Sequence, residues 1–183
     1  MSTQIEWTDE TWNPVVGCSE LSPGCDHCYA VGVAHREMQP AHVGLTIGRK
    51  WTGEVRCLPD RLDTPLRWRK PRKVFVNSMS DLFHPSVPAE FIRSLFETMA
   101  ACPQHTFQVL TKRPQRLPQM FRNLDGRTEP LPTLPNVWIG TSIETDRYAF
   151  RANALRATSA VVRFLSLEPL LGPLPSLDLT GID

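Results

Sequence analysis

KVFVNSMSDLFHPSVPAEFIRSLFETMAACPQHTFQVL, residues 73–110, is the stretch on which the fold turns. Its first part, Lys73–Ser78, is β-branched and aromatic and reads as a strand. Ala89–Ala101 has helical spacing, with Phe91, Ile92, Leu95, Phe96 and Met99 on one face. Thr106–Leu110 (TFQVL) reads as the next strand. Downstream the alternation continues. Pro114–Leu124 is a short helix with proline at its entry, Val137–Thr141 a strand, Asp146–Ala157 a helix opening on a capping aspartate, and Val161–Leu167 an apolar strand. Upstream, Trp12–Val16 reads as a first strand that leads through a cysteine loop into a helix at His27–Met38.

Apolar strands alternating with helices imply an α/β fold, a parallel sheet covered on its faces. An open doubly wound sheet and a closed or partial barrel both satisfy this order. Residues 39–72 interrupt it with glycines, Trp51 and Trp68, and read as an insertion or lid within a single domain spanning residues 1–183. After a Pro/Leu-rich stretch the sequence stops at Gly181-Ile182-Asp183 with a further strand still expected, as in a domain truncated at its C-terminal end.

The totals narrow the class. A 41% apolar content over 183 residues supplies one sizeable core. With 20 Lys plus Arg against 19 Asp plus Glu, no field of one sign points to nucleic acid or membrane. The polar, acidic start MSTQIEWTDE is unlike a secretory signal, and no apolar run approaches the ~18 residues of a membrane span. A soluble, cytoplasmic protein without membrane partners is expected. The 17 prolines are dispersed, as in a chain of short elements with stiff connections.

In parallel α/β folds reactive groups gather at the carboxyl ends of strands. Here those ends carry Gly17-Cys18, then Asn77, Ser78, Ser80 and Asp81, then Thr111, Lys112 and Arg113, then Thr141, Ser142 and Glu144, and finally Ser166 and Glu168. One shared rim of thiols, hydroxyls, cations and carboxylates is expected.

Of five cysteines, three lie close together as Cys18-x6-Cys25-x2-Cys28, with Cys28 at a helix start whose positive end favours thiolates. Such packing points to metal binding or redox chemistry. Three thiolates on a four-iron cubane leave one iron open to a small molecule. A Cys₃His zinc site completed by His27 or His35 and a redox dithiol are the alternatives. Tyr29 packs beside the metal or in the core, and Cys57 and Cys102 read as buried spectators. His42, His84 and His105 are single and unpatterned.

Five blocks in order, GCSELSPGCDHCYA, NSMSDLFHP, LTKRP, IGTSIE and SLEPLLGP, resemble a phage-associated protein family with a radical-SAM-like three-cysteine motif and no known substrate. The resemblance runs from about Trp7 to the last residue. It implies a partial (β/α) barrel of radical S-adenosylmethionine type, TIM-barrel-like, with a 4Fe-4S cluster on Cys18, Cys25 and Cys28. The six-residue spacing between Cys18 and Cys25 departs from the familiar Cys-x3-Cys-x2-Cys. Asn77-Ser78-Met79-Ser80-Asp81 replaces the usual Gly-Gly-Glu segment.

That resemblance implies a radical enzyme acting on an unknown substrate. Lys112 or Arg113 would pair the methionine carboxylate. Ser78, Ser142, Glu144 and Glu168 would bond ribose hydroxyls or the amino group, and Asp81 joins this cofactor-binding set. Helix-start or turn chemistry is the alternative for Glu144 and Glu168. A zinc-binding nucleic-acid-associated module and a non-catalytic cluster protein acting with a partner are the competing functions. The basic run Arg67–Lys73, with Trp68 as a stacking platform, favours nucleic acid. Its place before the second strand sets it on the face opposite the cluster, where a solvated loop is expected.

Overall fold

The computed structural model describes residues 5–37, 40–122 and 129–183. Five strands form one parallel sheet: β1 (Glu10–Trp12), β2 (Lys73–Val76), β3 (Thr106–Thr111), β4 (Val137–Ser142) and β5 (Val162–Ser166). The helices are α1 (Tyr29–Glu37), α2 (Ala89–Ala100), α3 (Arg116–Arg122) and α4 (Arg151–Arg156). The α/β class and the parallel pairing expected from the alternation are both present.

Each strand lies beside its predecessor in sequence, so the order runs β1-β2-β3-β4-β5 without the reversal that defines a doubly wound sheet. β1 and β5 are the outer strands, with Asp183 bonding the Arg163 amide and carbonyl on β5, and the sheet does not close into a barrel. The side-chain period of two sorts the faces. Trp12, Val74, Val76, Phe107, Val109, Val137 and Ile139 turn to one side. There they pack with Ile92, Leu95, Phe96 and Met99 of α2, Leu117 and Phe121 of α3, and Leu155 of α4. The alternate residues face the other way and line cavities rather than helices, which differs from a sheet covered on both faces.

Three local expectations are corrected. The first strand is not Trp12–Val16. Pro14 has no N–H to donate to a ladder, so pairing ends at Trp12, and Val15–Val16 instead pairs antiparallel with Arg56–Cys57. The helix expected over Asp146–Ala157 divides into a short 3₁₀ turn, Asp146–Tyr148, followed by α4. Asp146 caps neither, because its Oδ1 accepts from both the amide and the hydroxyl of Ser176. β2 stops at Val76, not Ser78, because Asn77 takes a positive φ of 61°. Of the helix ends expected at Met38 and Leu124, both lie outside the described residues.

Residues 40–72 form 3₁₀ turns and short antiparallel pairs. This segment packs onto the cysteine loop through Leu45, which is fully buried with Val16, Ala30, Ala34 and Met79. Gly17 is where the two meet most closely. It has φ 87°, and a Cβ there would sit 2.2 Å from the carbonyl oxygen of Glu54.

Candidate functional site

Asp81 organises the carboxyl ends of β2 and β3. Its Oδ1 accepts from the Thr111 hydroxyl at 2.7 Å and the Phe83 amide at 3.0 Å. Its Oδ2 accepts from the Lys112 amide at 3.1 Å and from Arg113 Nη1 at 3.0 Å. The chain itself thus supplies four donors to this carboxylate, one of them from the Arg113 that Asp81 positions.

Arg113 in turn reaches the cysteine loop. Its Nη1 points at Cys18 Sγ at 3.9 Å, and its Nη2 donates to the Ser19 carbonyl and hydroxyl oxygens, each at 2.9 Å. Ser19 Oγ also lies 2.8 Å from His84 Nε2. His84 Nδ1 accepts from the Ser86 amide, so in the neutral ring Nε2 carries the proton and donates to Ser19. Ser19 Oγ therefore accepts twice, and its own hydrogen is left for a third partner.

Burial, then the Asp81 carboxylate, pushes the Cys18 thiol up to about 11 against the pull of Arg113. Burial, then the Arg113 cation, lowers His84 below its ordinary value. Burial also raises the thiols of Cys57 and Cys102; Cys102 lies in the core, whereas Cys57, expected to be buried, is only partly so because its short strand packs at the core's margin.

Around this network lies a cavity of 610 Å³. It is lined by Cys18, Cys25 and Cys28 together with Asp81, Lys112, Arg113, Ser142 and Glu168. Of the rim expected from the strand ends, Thr111 and Ser166 are also in this lining, whereas Gly17, Asn77, Ser80 and Thr141 are not. Ser78 and Glu144 do not line it. The Ser78 hydroxyl donates to Asn13 Oδ1, while its carbonyl accepts from Tyr29. Glu144 is fully buried and pairs with Arg151 at 2.8 Å, and Arg151 lies over the Tyr148 ring at 4.3 Å. Gly24 passes so close above Glu144 that a Cβ would stand 3.3 Å from its carboxyl carbon. Glu144 supports the cysteine loop from below. Tyr29 is 55% exposed at the cavity wall and is not a core aromatic.

The three thiols share a wall without converging. Among the described residues, no three His, Cys, Asp or Glu side chains meet where a single ion would sit. His27 lines the same cavity, but it does not complete such a group. A mononuclear zinc site needs four donors about 2.0–2.3 Å from one point. A polynuclear cluster takes each thiolate on a different iron and does not require them to converge on one point. Ser19, His84 and Trp7, also at this site, were not legible beforehand. The one available signal was the His84 position three residues after Asp81, a turn closed by the His84 amide on the Asp81 carbonyl.

A parallel α/β protein with a cysteine-lined cavity at its strand ends is the class that fold and site define. The chain belongs to a family described as a protein of unknown function (DUF5131), whose model matches residues 2–183. No curated protein and no solved structure matches it.

Proposed function

We propose that this protein is an iron–sulfur enzyme of radical S-adenosylmethionine type, built on a partial (β/α) barrel, with the cluster on Cys18, Cys25 and Cys28. The single observation that carries the reading is the shared cavity: three partly buried cysteines in one lining with Lys112, Ser142 and Glu168. Consecutive parallel strands with helices packed on one face also suit a barrel segment. The likeness of the five sequence blocks to a phage-associated radical-SAM-like family points the same way.

When bound, a 4Fe-4S cluster and S-adenosylmethionine would supply a one-electron cleavage that yields a 5′-deoxyadenosyl radical. The chain's own part is binding and orientation. Lys112 lines the cavity with no carboxylate of the described residues bonded to its ammonium, so it is the cation for the methionine carboxylate. Arg113 is committed to Asp81, Ser19 and Cys18, and holds the Cys18 sulfur in place. Ser142 and Glu168, in the same lining, are the polar contacts for the ribose and amino group.

Anaerobic reconstitution of the protein should give about four irons and a charge-transfer band near 400 nm, as thiolate-bound clusters do. Cys→Ala at Cys18, Cys25 or Cys28 should each abolish it, and at Cys57 or Cys102 should not. Stoichiometric zinc that iron does not displace would replace this reading with the zinc-binding module. An intact, reducible cluster that neither binds S-adenosylmethionine nor forms 5′-deoxyadenosine would leave a non-catalytic cluster protein.

A further inference from the structure

Ser19 stands in the cysteine cavity lining beside Cys18, and two donors hold its side chain. Arg113 Nη2 donates to its Oγ at 2.9 Å, and His84 Nε2 lies 2.8 Å from the same atom. Both partners are themselves fixed. Arg113 is tied to Asp81, whose carboxylate also takes the Thr111 hydroxyl and two amides. His84 is tied at three points. Its amide donates to the Asp81 carbonyl, its Nδ1 accepts from the Ser86 amide, and its carbonyl accepts from Arg116 Nη1. A neutral imidazole that accepts at Nδ1 carries its proton at Nε2, so His84 donates to Ser19 and cannot accept from it.

A hydroxyl has one hydrogen and two lone pairs. Both lone pairs of Ser19 Oγ are taken, so the one direction left around the oxygen belongs to its hydrogen. No acceptor among the described residues receives that hydrogen. Because Ser19 lines the cavity, the acceptor has to come from what the cavity holds.

We propose that the Ser19 hydroxyl is a fixed donor to the iron–sulfur cluster, bonding a sulfur beside Cys18 and raising the cluster's reduction potential. This deepens the iron–sulfur reading and rests on it. Reduction adds negative charge to the cluster's sulfurs, so a hydrogen bond to one of them stabilises the reduced form more than the oxidised form. Arg113 does this only weakly, since its Nη1 stands 3.9 Å from Cys18 Sγ and its shorter bonds go to Asp81 and Ser19. The methionine carboxylate is a rival acceptor, but it belongs at the iron without a thiolate, whereas Ser19 adjoins a residue that holds its iron. Arg113 and His84 act through Ser19 as positioning residues. By filling both lone pairs they keep the hydroxyl from accepting a hydrogen from water, and so fix the direction in which it donates.

The test compares anaerobically reconstituted wild type, Ser19→Ala and Ser19→Thr, all without S-adenosylmethionine. Iron and sulfide are assayed, the midpoint potential is titrated, and exchangeable protons near the reduced cluster are read by electron–nuclear double resonance in H₂O and D₂O. Ser19→Ala should keep its iron. Its reduced-to-oxidised ratio at a fixed potential should fall roughly tenfold, a midpoint lower by about 59 mV for one electron. One exchangeable coupling of the wild type should vanish in Ser19→Ala and return, with the potential, in Ser19→Thr. The coupling from Arg113 beside Cys18 should persist throughout, which shows that Arg113 has not moved. The wild-type coupling needs no variant, so poor loading of Ser19→Ala leaves the proposal testable. A wild-type cluster with no hydroxyl coupling, or one that gains it only when S-adenosylmethionine is added, overturns the proposal. So does a potential unchanged in Ser19→Ala, or loss of the Arg113 coupling together with the other. These results leave the iron–sulfur reading standing, whereas a wild type that takes up no iron rejects that reading and this proposal with it.

Discussion

Lys112 and Arg113 are adjacent cations with opposite assignments, and the difference lies in what each already touches. Arg113 has a carboxylate, a serine and a thiol in reach, whereas the Lys112 side chain faces the cavity. Lys112→Ala should weaken S-adenosylmethionine binding by about tenfold while leaving the cluster's spectrum unchanged, read by calorimetry and visible absorption. Arg113→Ala should instead alter the cluster's absorption and midpoint potential. It should also cost about 3–5 kcal/mol of stability, since it leaves the buried Asp81 charge unpaired.

His84 gives the same network a pH signature. Its folded value is lowered from 6.5 by burial and the neighbouring Arg113, so the unfolded chain binds more protons as the solution acidifies. Its contribution to stability is therefore fully present above 6.5 and is lost as pH falls through that value toward the depressed folded one. Urea midpoints should decline between pH of about 7.5 and about 5.5, and His84→Gln should flatten that decline. A slope unchanged in the variant would assign the acid sensitivity elsewhere. None of this could be read from the chain, where His84 is a solitary imidazole. Its meaning comes from Ser19, 65 residues away.

At the level of elements, the cysteine loop is held from two sides by close contacts, the first with no space for a methyl group and the second with little. Gly17 meets the backbone of the 40–72 segment and Gly24 meets Glu144. The pair below it, Glu144 with Arg151, is sealed from solvent at 0% and 1% exposure. Arg151→Met alone should therefore cost about 3–5 kcal/mol in chemical denaturation, because it strands a buried carboxylate. Adding Glu144→Leu should recover most of that loss, since an apolar pair replaces the ions. If the double variant is no better than the single one, the damage is steric. The same element shows where periodicity misleads. Asp146 has the position of a helix cap, but Ser176, 30 residues on, takes its carboxylate, and the helix begins only at Arg151.

At the scale of the whole molecule, the basic run lies at the amino-terminal ends of the strands, where Lys73 opens β2 opposite Thr106 of β3. Trp68 is no open platform. It packs edge-on against His105, with the Arg72 guanidinium over its ring at 5.6 Å. Arg67 is paired with Asp63. Charge reversal at Arg67, Arg69 and Lys70 should leave any nucleic-acid affinity and its salt slope unchanged. A shallower slope would return the run to the list of binding surfaces.

The alternation of strand and helix, the parallel pairing and the set of polar residues at the strand ends were legible in the chain. These depend on side-chain period and on proline and glycine, which act over a few residues. Cys18, Cys25 and Cys28 were legible as one site because a short loop keeps them together whatever the rest does. The strand order was not legible, since hydrogen-bond partners along a parallel sheet are tens of residues apart. Tertiary structure decided that Asp81 and Glu144 serve the protein's own cations and that Ser78 turns to Asn13. Gln108 shows the limit most clearly: its pattern marks only an alternate face of a strand. That it lies between Phe75 and Trp138, buried and with its Oε1 unpartnered, follows from the register of three strands from separate parts of the chain.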